Sequence, residues 1–219
     1  MLSFAEEIYL LALDDVTGKV SSYSDEISLS YALIGAVLCE LSFKGKIDSH
    51  QEHLIVIDKT PTGNKILDSV LSVMSETEAK KPISYWLKIL LSNASETEDL
   101  VLSELINKGI LKIVDERIFW VFHTRRYPII NNKEITSVET RIRELVLNER
   151  ENPDQSEAVL VSLIQACNLF KTILSPKELK RAEKRIQNLA KLDMIGREVV
   201  DMIREIKNFS PSIFCNTPV

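Results

Sequence analysis

The residues with ligating chemistry are few. His50 and His53 are three apart, with Asp48, Glu52 and Asp58 nearby. A metal site needs three or four convergent ligands, and no other His/Cys cluster exists to complete one. An exposed turn before a strand is the simpler reading, and no metal or other cofactor is expected. Glu6-Glu7 and Asp14-Asp15 are adjacent carboxylates. Neighbours on a helix do not face each other, so they read as solvated helix ends and not as an acid/base pair. Cys39 and Glu40 sit inside an apolar run, where a nucleophile would lack a reachable base and an electropositive setting. No GxSxG, GxGxxG, Walker A or HExxH string is present. Pro61-Thr62-Gly63-Asn64-Lys65 leads into a helix N-terminus, a place that can hold an anion, as every helix start can. No catalytic residue emerges, and the chain is not expected to be an enzyme.

The most informative stretch is Ile110–Phe122, ILKIVDERIFWVF. Two apolar runs flank Asp115-Glu116-Arg117, the pattern of a hairpin with a short loop. Phe119, Trp120, Val121 and Phe122 are consecutive, and successive strand residues face opposite sides. One face of the hairpin is therefore apolar. Arg117, Arg125 and Arg126 lie beside it, and Trp and Phe next to Arg is the composition of a membrane-interface contact. The alternative is a hairpin tucked onto a helical core with its arginines solvated. The helix from Ser95 to Lys108 followed by this hairpin also has the outline of a winged-helix unit. Yet Glu96, Glu98 and Asp99 stand where such a helix would read bases, and phosphate repulsion counts against nucleic acid.

The element that must position all of this is Ile27–Phe43, ISLSYALIGAVLCELSF, interrupted only by Ser28, Ser30, Glu40 and Ser42. A helix apolar nearly all round is buried, so this is the expected central helix. Ser24 is placed to cap its start and Gly45 to close it. Gly35, mid-helix, calls for close approach of a neighbouring helix. Glu40 lies inside the run, which falls short of an uninterrupted membrane span.

Around this helix the chain predicts amphipathic neighbours. Ser3-x-x-Glu6 and Ser95-x-x-Glu98 read as capping boxes, and Ser175-Pro176 caps a further helix. His53–Thr60 predicts a strand. Helices are expected from Asn64, from Pro82 and over Lys133–Arg150. Gln155–Leu174 reads as one second core helix, and a last helix is expected at about Ile195–Phe209. Residues 210–219 read as a loose tail.

The totals agree. The chain has 219 residues with 45% hydrophobic and 27% charged, and only six glycines and seven prolines. That balance predicts a mainly α fold, read as a single domain over residues 1–209. A net charge of −5 argues against broad nucleic-acid binding. Cys39, Cys167 and Cys215 are an odd, scattered set and read as reduced thiols. The first ten residues carry two Glu and no basic region, so no secretory signal is expected, and the expected location is cytoplasmic or on the cytoplasmic face of a membrane.

FAEEIYLLALDDVTGK, GAVLCELSFKGKI, PTG, LINKGIL, the hairpin and RYP occur in an order that resembles the Golgi phosphoprotein 3 family. The resemblance covers roughly residues 4–150. It implies a mainly α body, a core of apolar helices surrounded by amphipathic helices, with one protruding β-hairpin, and no catalysis. It also implies a peripheral membrane adaptor on the cytoplasmic side, one that binds phosphatidylinositol 4-phosphate and recruits protein clients. Carried onto this sequence, the membrane-contact hairpin is Ile118, Phe119, Trp120, Val121 and Phe122, and the candidate lipid-binding residues are Tyr23, Arg117, Arg125 and Arg126. The family's phosphate-holding arginines fall on Ile34, Ser95 and Glu98, and a carboxylate at 98 repels phosphate. The expected partners are thus anionic membrane lipid and protein clients, with no nucleic acid. The other reading is a soluble interaction scaffold whose hairpin mediates self-association or partner docking.

Overall fold

A computed structural model describes residues 2–14, 17–50, 52–118, 122–147 and 153–209. The apolar run forms α2, Glu26–Phe43, and its buried residues come from every side of the helix, as a run without a polar face requires. The helix is long and apolar enough to cross a bilayer, but 67% of that window is buried in the protein's own body. Its cap is Asp25, not the expected Ser24. Asp25 accepts from the Ser28 amide at 2.8 Å and the Ser28 hydroxyl at 2.7 Å. Asp25 leads because its carboxylate can take both donors at once, one on each oxygen. Ser24 is left with a buried hydroxyl that has no partner among the described residues. At the other end Gly45, at φ 65°, closes the helix: its amide bonds Ser42 O, and the Lys46 amide bonds Leu41 O.

Helices α1 (Phe4–Ala12), α3 (Lys65–Ser75), α4 (Ile83–Leu90), α5 (Ala94–Asn107), α7 (Gln155–Ala166) and α10 (Met194–Phe209) pack on α2. Gly35 is where two of them come closest. A Cβ there would lie 2.6 Å from Val199 Cγ2 of α10 and 3.2 Å from Leu163 Cδ2 of α7. Outside this layer, α6 (Lys133–Leu147) presents Ile135, Val138, Ile142, Leu145 and Val146 inward. α9 (Pro176–Ala190) packs on α6 and α7. The capping box at Ser3–Glu6 forms as expected, Ser175 caps α9 as expected and does so in a full box with Glu178, and Asp154–Glu157 makes a third box at the start of α7.

The second core helix is shorter than expected. α7 stops at Ala166, and a separate turn, α8 (Phe170–Ile173), follows. The break is Asn168, at φ 59°. The Asn168 amide bonds Gln165 O and the Leu169 amide bonds Ile164 O, the paired bonds of a left-handed helix end, with Asn in the place usually held by Gly. A small antiparallel sheet orders β1 (Ile47–His50), β2 (His53–Val56) and β3 (Lys81–Pro82) beside α2. Of these three strands the sequence predicts only β2.

Candidate functional site

The hairpin consists of β4 (Val114–Ile118) and β5 (Phe122–Arg126), antiparallel, with Val114 opposite Arg126 and Ile118 opposite Phe122. Its register lies further along the chain than the sequence predicts. Asp115, Glu116 and Arg117 are in β4 and not in the turn. The reason is that Ile110 and Leu111 are buried in the body, with their amides on Leu105 O at 3.0 and 3.3 Å, so the strand cannot start its exposed part there. Phe119, Trp120 and Val121 lie outside the described residues. For Arg117, Ile118, Phe122 and Arg125 the structure gives the strand position. β4 and β5 pack on one another, and among the described residues no helix packs substantially against either. The hairpin projects from the helical body.

Its root is firmly tied. The same register continues below β4 and β5 through a Leu111–Ile129 bridge, a Lys112 amide to Pro128 O bond of 3.2 Å and an Ile130 amide to Ile110 O bond of 2.9 Å. The Tyr127 amide donates to Gly18 O at 2.8 Å, which ties the root to the α1–α2 loop. Gly18 sits at φ 64°, and a Cβ on it would lie 2.6 Å from Pro128 N. Both the backbone conformation and the contact require glycine. Asp14 holds this loop, accepting from the Thr17 amide at 2.7 Å. Around the root Ile113 is 51% exposed and Ile130 is 54% exposed, and Lys112 and Lys133 are exposed as well.

Of the candidate lipid residues, Tyr23 and Arg126 have described side chains. Tyr23 is exposed just before α2 and lines a cleft of about 340 Å³ with Leu11, Asp14, Glu139 and Lys171. Its carbonyl accepts from Asn168 Nδ2 at 3.3 Å. Arg126 is half-buried at the hairpin root and is not in the described lining of that cleft. Ile34 is fully buried in α2. Ser95 is exposed in the first turn of α5, and the capping box expected there does not form. The 3-10 turn Leu91–Asn93 runs straight into α5, so Ser95 is already inside the helix and the N-cap is Asn93. Glu98 reaches across the structure instead and accepts from the Tyr9 hydroxyl at 2.9 Å. Burial first, and the Glu98 carboxylate second, hold the Tyr9 phenol well above its usual range, and Tyr127 and Asp99 act in the same direction. A carboxylate–phenol pair thus stands beside the hairpin root where the resemblance would place arginine. Sequence spacing could not find this pair, because its members are 89 residues apart.

The other chemistry-bearing residues have structural partners. His50 and His53 face each other in register across β1 and β2, and both are exposed. Among the described residues no group of three or more His, Cys, Asp or Glu could hold a metal ion. Cys39 is buried, and burial pushes its thiol well above the usual value. The Asp68 carboxylate accepts from the Thr62 amide and hydroxyl, both at 2.7 Å, and the Gly63 amide at 3.1 Å. The anion position at the start of α3 is therefore filled by the helix's own side chain. Glu6 is paired with Lys108, and Glu7 with Arg141 at 2.7 Å. Burial raises the Glu7 carboxyl above its ordinary value, against the opposing pull of Arg141.

Comparison with known proteins agrees with this architecture. A family model described as Golgi phosphoprotein 3 (GPP34) matches residues 4–206. Vacuolar protein sorting-associated protein 74 of Eremothecium gossypii is 25% identical over 162 residues, which cover 64% of this chain and 48% of that protein. The protein of the same name from Schizosaccharomyces pombe is 24% identical over 162 residues, covering 64% of this chain and 47% of its own length. The chain thus spans about half the length of the curated relatives it matches. With nearly all of its helical body inside the family match, the chain belongs to the Golgi phosphoprotein 3 family.

Proposed function

We propose that this chain is a non-enzymatic peripheral membrane adaptor. It holds the cytoplasmic face of an anionic bilayer with the hairpin Val114–Arg126 and presents its helical body to protein clients. The observation that carries this reading is the hairpin's projection from the body, with an apolar sequence from Ile118 to Phe122 at its far end. Trp and Phe settle at the interface between headgroups and acyl chains. Arg117, Arg125, Arg126 and Lys112 add electrostatic attraction of about 1 kcal/mol each near an anionic surface, falling with salt. Family membership and the sorting function in the relatives' names support the adaptor role. Ile34, Ser95 and the Glu98–Tyr9 pair do not favour a pocket for phosphatidylinositol 4-phosphate, so the reading is of an anionic surface and not of one headgroup.

The test is flotation with phosphatidylserine vesicles, comparing the wild type with Trp120→Asp. Binding of the wild type and its loss in the variant are expected. Equal flotation, or none by either, overturns the proposal. The acidic net charge of −5 favours the second reading, self-association through the hairpin. Concentration-dependent oligomers that Trp120→Asp abolishes, without vesicle binding, would establish that reading instead.

A further inference from the structure

We infer that the groove bounded by α7, α9 and α10 is a docking site for an acidic amphipathic helix of a partner protein. α9 and α10 both pack on α7 but little on one another, so a furrow runs between them over α7, which is buried there except for the half-exposed Gln165. Two adjoining clefts, of about 440 and 490 Å³, share Gln165 of α7 and Gln187 of α9 and run the length of α9. That length is about 22 Å, or roughly four turns of an incoming helix.

The lining has three chemistries. Leu179 and Ile186 on α9 and Val200 on α10 give an apolar floor. Gln165 and Gln187 have amide groups with no protein partner among the described residues, available to a helix backbone or side chain. Lys180, Lys191 and Arg197 form the rim, exposed and, among the described residues, without a salt bridge to any carboxylate. Arg204, further along α10, is paired with Asp201 at 2.7 Å.

Charge complementarity fixes the occupant. Among the described lining residues the charges are Lys180, Lys191, Arg197 and Arg204 against Glu183 and Asp201, a basic excess in a protein of net charge −5. A basic excess around an apolar trough suits a helix with a greasy stripe and acidic shoulders, read as i, i+3, i+4, i+7 anchors. Rim charges of this kind set partner choice and the rate of encounter. The groove is separate from the hairpin, so the inference stands whether or not the hairpin meets a membrane.

The experiment is selection of peptides about 16 residues long from a displayed random library against the full chain, a length that fills the groove. Binding of the enriched peptides is then measured by fluorescence anisotropy to the wild type, to Lys191→Glu/Arg197→Glu and to Lys180→Glu. Phosphatidylserine vesicles are run in parallel. Far-UV circular dichroism checks that each variant is folded, and the separate Lys180→Glu variant serves if the double variant is not. Enriched peptides should combine apolar residues at helical spacing with Asp and Glu. They should bind about ten-fold more weakly to folded variants, and more weakly as salt rises. Failure to enrich any peptide, enrichment of basic peptides, or equal binding to the folded variants overturns the inference. Vesicle binding lost in the same variants, with no peptide affected, would assign the surface to a membrane and overturn it also.

Discussion

Gly35→Ala tests the packing on which the whole body rests. In an open helix this change stabilises by about 1 kcal/mol. Here the new methyl would sit 2.6 Å from Val199 Cγ2 and 3.2 Å from Leu163 Cδ2. Val199 is fully buried, and a β-branched side chain in a helix has essentially one χ1 rotamer, so it cannot swing aside. α10 must shift instead, and overpacking of this kind costs about 1–3 kcal/mol. The net expectation is a loss of up to about 2 kcal/mol where propensity alone predicts a gain. Val199→Ala alone removes two methyl-sized groups and should cost about 1.6 kcal/mol plus a cavity contribution. In the double variant the methyl added at position 35 enters the space that Val199 vacates. The two changes should therefore couple favourably by about 1–3 kcal/mol. Urea unfolding of the four proteins, followed by circular dichroism, measures this. If Gly35→Ala stabilises by the full helix-propensity amount and adds independently to Val199→Ala, the argument from close approach is wrong.

Two further predictions concern groups far from the hairpin. Arg141→Ala leaves the Glu7 carboxylate buried without its cation and should cost about 1–3 kcal/mol at neutral pH, a figure reduced from that of a fully buried pair because the Arg141 side chain is 42% exposed. Burial already raises the Glu7 carboxyl above its unfolded value, so the folded state binds more protons above that value and its stability falls as pH rises through this window. The variant should make that fall steeper, and Glu7→Gln should restore most of the loss; a loss that is independent of pH and is not rescued refutes the pairing. Asn168→Ala should cost about 1–2 kcal/mol by urea unfolding, since alanine resists φ 59°, whereas Asn168→Gly should be close to neutral; equal stability of the alanine variant and the wild type would show that the break does not depend on this residue.

What the sequence revealed was local, or was fixed by apolar content. The central helix, the need for a neighbour at Gly35, the capping box at Ser3 and the cap at Ser175 were all legible, since a cap involves residues at most three apart. The misses share a cause. Ser95 has the spacing of a capping residue, but the turn before it decides where α5 begins. Gln155–Leu174 is apolar throughout, and composition does not register a left-handed Asn168. The hairpin's register depends on which of the apolar residues after Gly109 the body buries, and only the packing of Ile110 and Leu111 reveals that. Glu98 was legible as a charge but not as the partner of Tyr9. The groove between α9 and α10 was not legible, because it is a space between elements and not a property of either.

The socket at Gly18 has a mechanical consequence. The hairpin is bonded to the α1–α2 loop through Tyr127, and that loop leads on one side into α1 and on the other into the central helix. Pro128 is seated against Gly18, so packing braces the base as well as this bond. On the proposed membrane reading, a pull on the hairpin is therefore passed to the interior, and its angle would set the orientation of the whole body.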